Sequence, residues 1–372
     1  MLNLRLKRED LLRGVSQTQS IAEKRSSMPI LSNVLLEVEA GRLAITATDL
    51  EVSFKGTYEA EILGEGRLTV PARKFYEIVR VLSDEEFILK EGENYNLELT
   101  GLRSQYQLHG LPPEDFPLLP DYGELEFLEI ESGLLLDMIE KTVYSISVEE
   151  TRYNLAGVFF ETSEQESKEK LRMVSTDGHR LSLVEKEIPG IKALGLKKGV
   201  IVSRKGITEM RKLAEAGGQL KLGFASNNAV IQAENAVLVM RLLDGRFPDY
   251  TLVIPKKNTK IMKAGRKEFI EVLRRVSVMS SDEYKGVKFS LAPKELKLIA
   301  VNPDLGEARE SLPVEYDGDE LEVGFNPRYF VEALSSLKSD LVNAAFLDSG
   351  NPCQVTAAED AGYIGVIMPM KI

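Results

Sequence analysis

Three signals recur along this chain at nearly one spacing. An Asp-centred turn stands at Thr48-Asp49-Leu50, at Thr176-Asp177-Gly178 and at Pro303-Asp304-Leu305, so its aspartates lie 128 and 127 residues apart. A second element keeps step: Val70-Pro71-Ala72-Arg73, Val202-Ser203-Arg204 and Phe325-Asn326-Pro327-Arg328 each place a turn or helix-start residue and an Arg before an apolar-periodic run. The third is Leu111-Pro112-Pro113-Glu114-Asp115-Phe116-Pro117, answered by Gly245-Arg246-Phe247-Pro248-Asp249-Tyr250, with Phe247 lying 131 residues after Phe116. Together they restrict the chain to three copies of one domain fold, expected over 1–123, 124–251 and 252–372. Repetition on this scale builds a shape rather than enclosing a single active site.

The order of elements is similar in each copy. A helix-period segment (Arg8 to Ile21, Ser132 to Ser147, Gly265 to Ser281) precedes a strand-like run and then the Asp turn. The stretch from Leu171 to Val184, broken at Asp177-Gly178, reads as a hairpin, since Asp-Gly suits a turn needing positive φ. A second helix is expected near Arg73, Arg204 and Arg328, followed by more strand pairs. The fold class is therefore α+β, three domains each with two helices packed on antiparallel sheet. Glu161 to Lys170 lacks apolar periodicity and is expected as a solvated loop.

With 43% hydrophobic and 28% charged residues, each copy can bury a core. No apolar run reaches the roughly 18 residues that span a bilayer. A single cysteine, Cys353, excludes an internal disulfide and points to a reducing cytoplasm. Two histidines and one cysteine cannot assemble a His- or Cys-rich metal site, so none is expected. No phosphate loop, dinucleotide fingerprint or Gly-x-Ser-x-Gly elbow is present. Asp49, Asp177 and Asp304 sit at equivalent turn positions, which favours turn structure over catalysis. The chain reads as a non-enzyme without cofactors.

The net charge of −11 argues against gripping nucleic acid by bulk attraction, so the placement of the cations matters more. Arg73 and Arg80 lie seven apart, as do Arg204 and Arg211, and each pair shares a helix face. Lys74, Lys205, Lys212 and Arg328 lie near the same starts, with Lys141, Arg274 and Arg275 on the other helix class. Solvated faces are one reading of these charges. Their recurrence supports another, a surface that touches phosphates without reading bases. The end, Val366-Ile367-Met368-Pro369-Met370-Lys371-Ile372, reads either as an edge strand or as an adaptable apolar surface for peptides.

The signatures Met28-Pro29-Ile30-Leu31, Thr48-Asp49-Leu50-Glu51, Val70-Pro71-Ala72-Arg73-Lys74-Phe75, Thr176-Asp177-Gly178-His179-Arg180-Leu181, Asp244-Gly245-Arg246-Phe247-Pro248-Asp249-Tyr250, Gly324-Phe325-Asn326 and Met368-Pro369-Met370 run in order from end to end. With them the chain resembles the bacterial DNA polymerase III beta subunit, the replication sliding clamp. The resemblance implies a head-to-tail homodimer forming a ring of six domains around double-stranded DNA, bound without sequence preference. It implies no chemistry of its own, a bacterial cytoplasmic setting at the nucleoid, and an ATP-driven clamp loader as a partner rather than a cofactor. At the dimer interface Tyr106 and Leu108 would meet Val278 and Met279, with Lys74 and Arg103 adding charge pairs. DNA contacts would come from Arg25, Arg73, Arg80, Tyr153, Arg204 and Lys205.

The same resemblance implies a groove for the short linear motif of the replicative polymerase, other polymerases, the loader and repair proteins. Its lining would be Leu155, Thr176, Gly178, His179, Arg180, Leu181, Pro248, Val253, Tyr329, Val366, Ile367, Met368, Pro369 and Met370. Two departures from the family pattern bear on partner preference: Leu252, where Arg is frequent, and Gly350-Asn351-Pro352 near the groove. Two other readings predict different features. An enzyme with an acidic site requires a carboxylate cluster that breaks the threefold pattern, and a scaffold binding only peptides requires no recurrent Arg.

Overall fold

The structure is a computed structural model and describes residues 1–22, 27–149, 151–165, 168–196, 198–280 and 286–371. Its α-helices are α1 (Arg8–Thr18), α2 (Ala72–Val81), α3 (Ser132–Glu140), α4 (Arg204–Glu215), α5 (Arg266–Val276) and α6 (Pro327–Ser335). The first helix of each pair stops before its apolar pattern does. At the ends of α1 and α3, the Thr18 and Thr142 hydroxyls donate back to the Gly14 and Met138 carbonyls, each at 2.9 Å, competing with the backbone ladder. After α3 and α5 the chain tightens into 3-10 turns at Val143–Ser145 and Ser277–Met279. The expected end of the third segment, Ser281, lies outside the described residues.

The helices are amphipathic. In α5, Phe269, Ile270, Val272, Leu273 and Val276 are buried, while Lys267, Glu271, Arg274 and Arg275 face water. Phe269 packs against Phe289 and Phe330, and Phe325 joins them with ring centroids 5.2 Å from both. The entry to α6 is set locally: the Asn326 side chain accepts from the Arg328 N–H, and Pro327 occupies the first helical position.

Packing divides the chain into two compact units. One comprises Met1–Gly133, Ala193–Gly195 and Thr208–Leu242; the other comprises Leu134–Lys192, Leu196–Ile207 and Leu243–Ile372. In the first, the closing strand of the second repeat, Ala236–Leu243, pairs antiparallel with Val52–Tyr58 of the first repeat. In the second, Tyr363–Ile367, the closing strand of the third repeat, pairs with Arg180–Glu187. The two seams match at their ends: the Arg241 N–H donates to the Glu51 carbonyl at 2.7 Å, and the Met368 N–H donates to the His179 carbonyl at 2.9 Å. Each repeat thus completes the sheet of its predecessor. The five-stranded sheet of the first unit ends on Gln105–His109, and the four-stranded sheet of the second ends on Gly306–Pro313.

Three local expectations need correction. Glu161 to Lys170 is not a loop: Gly157–Gln165 and Lys168–Thr176 form one long antiparallel pair reaching Gln165 opposite Lys168. Residues 161–163 are only half-buried, so no apolar alternation marks this strand. The third turn is centred on Asn302, not Asp304. Asp49 and Asp177 each accept from the amides two and three residues ahead, and in the third repeat the Asn302 side chain does this for Asp304 and Leu305. Lys141 is not on a basic face. Only 2% of its side chain is exposed, and it pairs with Asp137 at 2.7 Å and Asp360 at 2.8 Å.

Candidate partner groove and basic helix starts

The hairpin at Asp177 is closed by several local hydrogen bonds. The Asp177 Oδ1 accepts from the His179 and Arg180 amides at 2.9 and 3.0 Å. Thr176 Oγ1 accepts from the Gly178 amide at 3.1 Å and donates to the Arg180 carbonyl at 2.6 Å. Gly178 holds φ +88°, and a Cβ there would stand 2.7 Å from Nη1 of Arg152, which donates to the Asp177 carbonyl at 2.9 Å. The left-handed conformation calls for glycine, while the Arg152 guanidinium, at the end of a flexible side chain, can shift away. Gly178→Ala therefore costs about 1–2 kcal/mol of stability, the penalty of a left-handed L-residue, read as a lower urea midpoint.

Around this hairpin the chain assembles two kinds of surface. Leu155, Leu181 and Val366 are buried with Val174, Ile201, Phe247 and Tyr250, and Ile367 lies in the core of the third repeat. These are core residues rather than a contact surface. Met368 and Met370 remain 36% and 37% exposed, with Pro369 half-buried between them. The tail is held at both ends, by His179 through Met368 and by Gly324, whose carbonyl accepts from the Met370 N–H at 2.9 Å. Gly178, His179, Pro248 and Val253 are exposed, and the His179 ring lies near-parallel to Tyr329 at 6.5 Å between centroids.

Arg180 has a role that its place in the motif did not disclose. Its guanidinium donates to Asp177 at 3.0 Å, to the Tyr144 carbonyl at 2.6 Å and to Glu332 on α6. It also lies 4.6 Å from the Tyr329 ring centroid and 5.3 Å from that of Tyr144. Its donors serve the protein itself, so Arg180 ties the Asp177 hairpin to α6. The buried Tyr250 is hydrogen-bonded to Arg172 at 2.7 Å and to Glu161. Burial and the Glu161 contact push its hydroxyl up to about 12, so it stays a donor at neutral pH. Of the two departures noted above, Leu252 is fully displayed. Gly350-Asn351-Pro352 follows a turn closed by Asp348, which accepts from the Gly350 and Asn351 amides at 2.8 and 3.0 Å.

The basic helix starts repeat with a shift of one residue. Since α2, α4 and α6 begin at Ala72, Arg204 and Pro327, the equivalents of Arg73 are Lys205 and Arg328. A glutamate follows each at i+4: Glu77, Glu209 and Glu332. Arg73 pairs with Glu77 at 3.0 Å and Arg328 with Glu332 at 2.6 Å, while Lys74 shares Glu77 and Lys212 holds Glu209. The exposed pairs contribute little stability, so they orient the cations more than they anchor the helix. Arg204, one place earlier, donates to the Ile146 carbonyl at 2.6 Å. Burial there, with Arg180 nearby, pulls its guanidinium below the ordinary range. Arg80 stacks over Tyr76 at 5.4 Å, Tyr153 projects into solvent, and Arg25 lies outside the described residues.

Of the interface residues, Lys74, Arg103, Tyr106 and Val278 are exposed and Met279 is half-buried. Leu108 is only 8% exposed, because it packs inward within its own domain, leaving Tyr106 as the apolar group on that edge strand.

Comparison with known proteins follows this geometry from end to end. The DNA polymerase III beta subunit N-terminal domain matches residues 2–120, its central domain 129–249 and its C-terminal domain 251–371. The chain belongs to the DNA polymerase III beta-subunit family. A beta sliding clamp of Caulobacter vibrioides is 36% identical over 374 residues, with all of both chains covered. The crystal structure of the Caulobacter crescentus beta sliding clamp aligns with a TM-score of 0.94 at 36% identity, covering 100% of this chain and 99% of that one. A sliding clamp (DNA polymerase III subunit beta) from Bartonella birtlesii bound to griselimycin gives a TM-score of 0.94 at 32% identity, with full coverage of both. This chain therefore has the three-domain clamp fold and the function of a sliding clamp, the processivity factor of DNA polymerase III. Among the described residues no helix is long and apolar enough to cross a membrane, and no cluster of metal-ligating side chains is present.

Proposed function

We propose that two copies close head to tail into a ring around duplex DNA, and that the tail groove tethers the replicative polymerase and other partners there. The carrying observation is the logic of the seams. Each closing strand completes the preceding repeat's sheet, so the closing strand of the first repeat, Gln105–His109, has no predecessor within the chain. Gly306–Pro313, which follows the Asn302 turn, ends the sheet of the last repeat. Open edges of this kind invite pairing, and a heterologous contact that closes gives a ring rather than a filament. Tyr106 of one copy then faces Val278 and Met279 of the other, with Lys74 and Arg103 at the rim.

The helix starts suit such a ring. Arg73, Lys205 and Arg328 touch phosphates while nearby glutamates keep the local field weak, so contacts break as easily as they form. Retention then comes from topology, and the chain needs no catalytic group. Domain boundaries at 1–123, 124–251 and 252–372 fit this scheme, as does a place in the bacterial cytoplasm at the nucleoid. Griselimycin, which is bound to the Bartonella birtlesii clamp, is proposed as a ligand of this groove and serves as its probe.

The test is retention on nicked circular DNA in high salt after loader-assisted assembly, before and after the circle is cut. Retention on circles with release from linear DNA is the expected result, because phosphate contacts alone fail in salt on both. Equal loss from both, with the loader shown active, overturns the ring.

A further inference from the structure

We infer that Glu332 is a positioning residue that couples the basic start of α6 to the partner groove. The inference deepens the groove reading above and rests on it. Glu332 serves two guanidinium groups at once. One carboxylate oxygen accepts from Nε of Arg328 at 2.6 Å, and the other accepts from Nη1 of Arg180. These two arginines face different tasks. The Arg328 side chain is 78% exposed at the first turn of the helix, at the recurrent cationic position. That of Arg180 is only 9% exposed, stacked on Tyr329 and bonded to the Asp177 hairpin that holds the tail. Arg180 lies over the Tyr329 ring of the same helix that carries Glu332, so a change at the carboxylate reaches Tyr329 through Arg180.

The sign of the coupling follows from competition for one anion. Arg328 and Arg180 both draw on the Glu332 carboxylate, and together their hydrogen bonds and charges outweigh its burial and hold its proton affinity below the ordinary glutamate range. A phosphate that engages Arg328 loosens its hold on Glu332. The carboxylate then settles on Arg180, and the Arg180–Tyr329–His179 stack is better ordered for a ligand. By linkage, a ligand in the groove in turn favours phosphate at Arg328. In the first unit the corresponding position, Glu209, binds the Ser20 hydroxyl and Lys212 instead, and Val52 stands where Arg180 does. This arrangement therefore belongs to the seam that carries the tail.

The experiment is a double-mutant cycle on the full chain, with griselimycin as the probe. Glu332→Gln is expected to weaken binding about tenfold, as expected for loss of a charge-assisted bond. Arg328→Gln, which removes the competitor from an exposed site, is expected to tighten binding about two- to threefold. That gain is expected to vanish in the Glu332→Gln background, a non-additivity that a merely structural glutamate does not produce. Unchanged affinity in both single variants overturns the coupling while leaving the groove intact. So does an Arg328→Gln effect that persists without Glu332. Failure of the wild-type chain to bind griselimycin, or binding that survives removal of Met368 to Ile372, overturns the groove reading and this inference with it.

Discussion

Lys141→Ala is expected to cost about 3–5 kcal/mol, the largest effect of any single substitution considered. The ammonium lies between Asp137 and Asp360 and is almost completely enclosed. Asp137 and Lys141 come from the second repeat, and Asp360 from the third, more than 200 residues later. Asp360 also accepts from the Lys338 and Ser339 amides at 3.0 and 2.9 Å, while Lys338 reaches Asp137 at 2.7 Å. Removing the lysine leaves a buried carboxylate without its counter-charge, which accounts for the size of the loss. Urea unfolding followed by far-UV circular dichroism reads it as a lower midpoint at unchanged slope. A shift under about 1 kcal/mol would show that water reaches the pair.

The same cluster predicts acid sensitivity. Burial alone would raise both aspartates, but hydrogen bonds and charge from Lys141, with Lys338 acting on Asp137 and backbone amides on Asp360, hold them below the usual 3.8. A carboxyl with a depressed folded-state pKa binds fewer protons than in the unfolded chain. Its contribution is therefore complete above about pH 4 and is lost as pH falls through the folded value. Wild-type stability should fall on that limb, and the Lys141→Ala variant should show a shallower dependence.

Deleting Met368 to Ile372 is the second large effect, and it falls on binding. Met368 and Met370 are the exposed apolar groups of the tail and are held in place by the His179 and Gly324 backbone. If the tail forms the proposed groove, their loss should lower griselimycin affinity about a hundredfold or more, as expected for central anchors of a small interface. The strand Tyr363–Ile367 keeps its pairing with Arg180–Glu187, so the unfolding midpoint should change little. Unchanged affinity, measured by calorimetry, would remove the tail from the groove.

Local chemistry written into short stretches was legible in the sequence. The Asp177-Gly178 turn was readable because one carboxylate and one left-handed residue suffice to close it. Helix starts near Arg73, Arg204 and Arg328 were readable because a turn or helix-start residue, an Arg and an apolar period lie side by side. Repetition made the three-domain fold legible, since one pattern seen three times excludes chance at each copy.

The tertiary structure decided what depends on distant packing. Lys141 has the composition of a surface residue and becomes buried only because Asp360 arrives from the last repeat. The third turn uses Asn302 in place of Asp304 because the acceptor must reach the next amides, and spacing alone does not show which side chain does so. The equivalence of Arg73 with Lys205 rather than Arg204 rests on where the helix begins in space. Glu161 to Lys170 pairs as strands through backbone bonds that need no apolar face, so periodicity was silent there. Arg180 carried a groove signature in the sequence, and its work as a support between Asp177, Tyr144 and Glu332 came from the fold. A guanidinium takes its role from the acceptors that surround it, and here Glu332 stands 152 residues away along the chain.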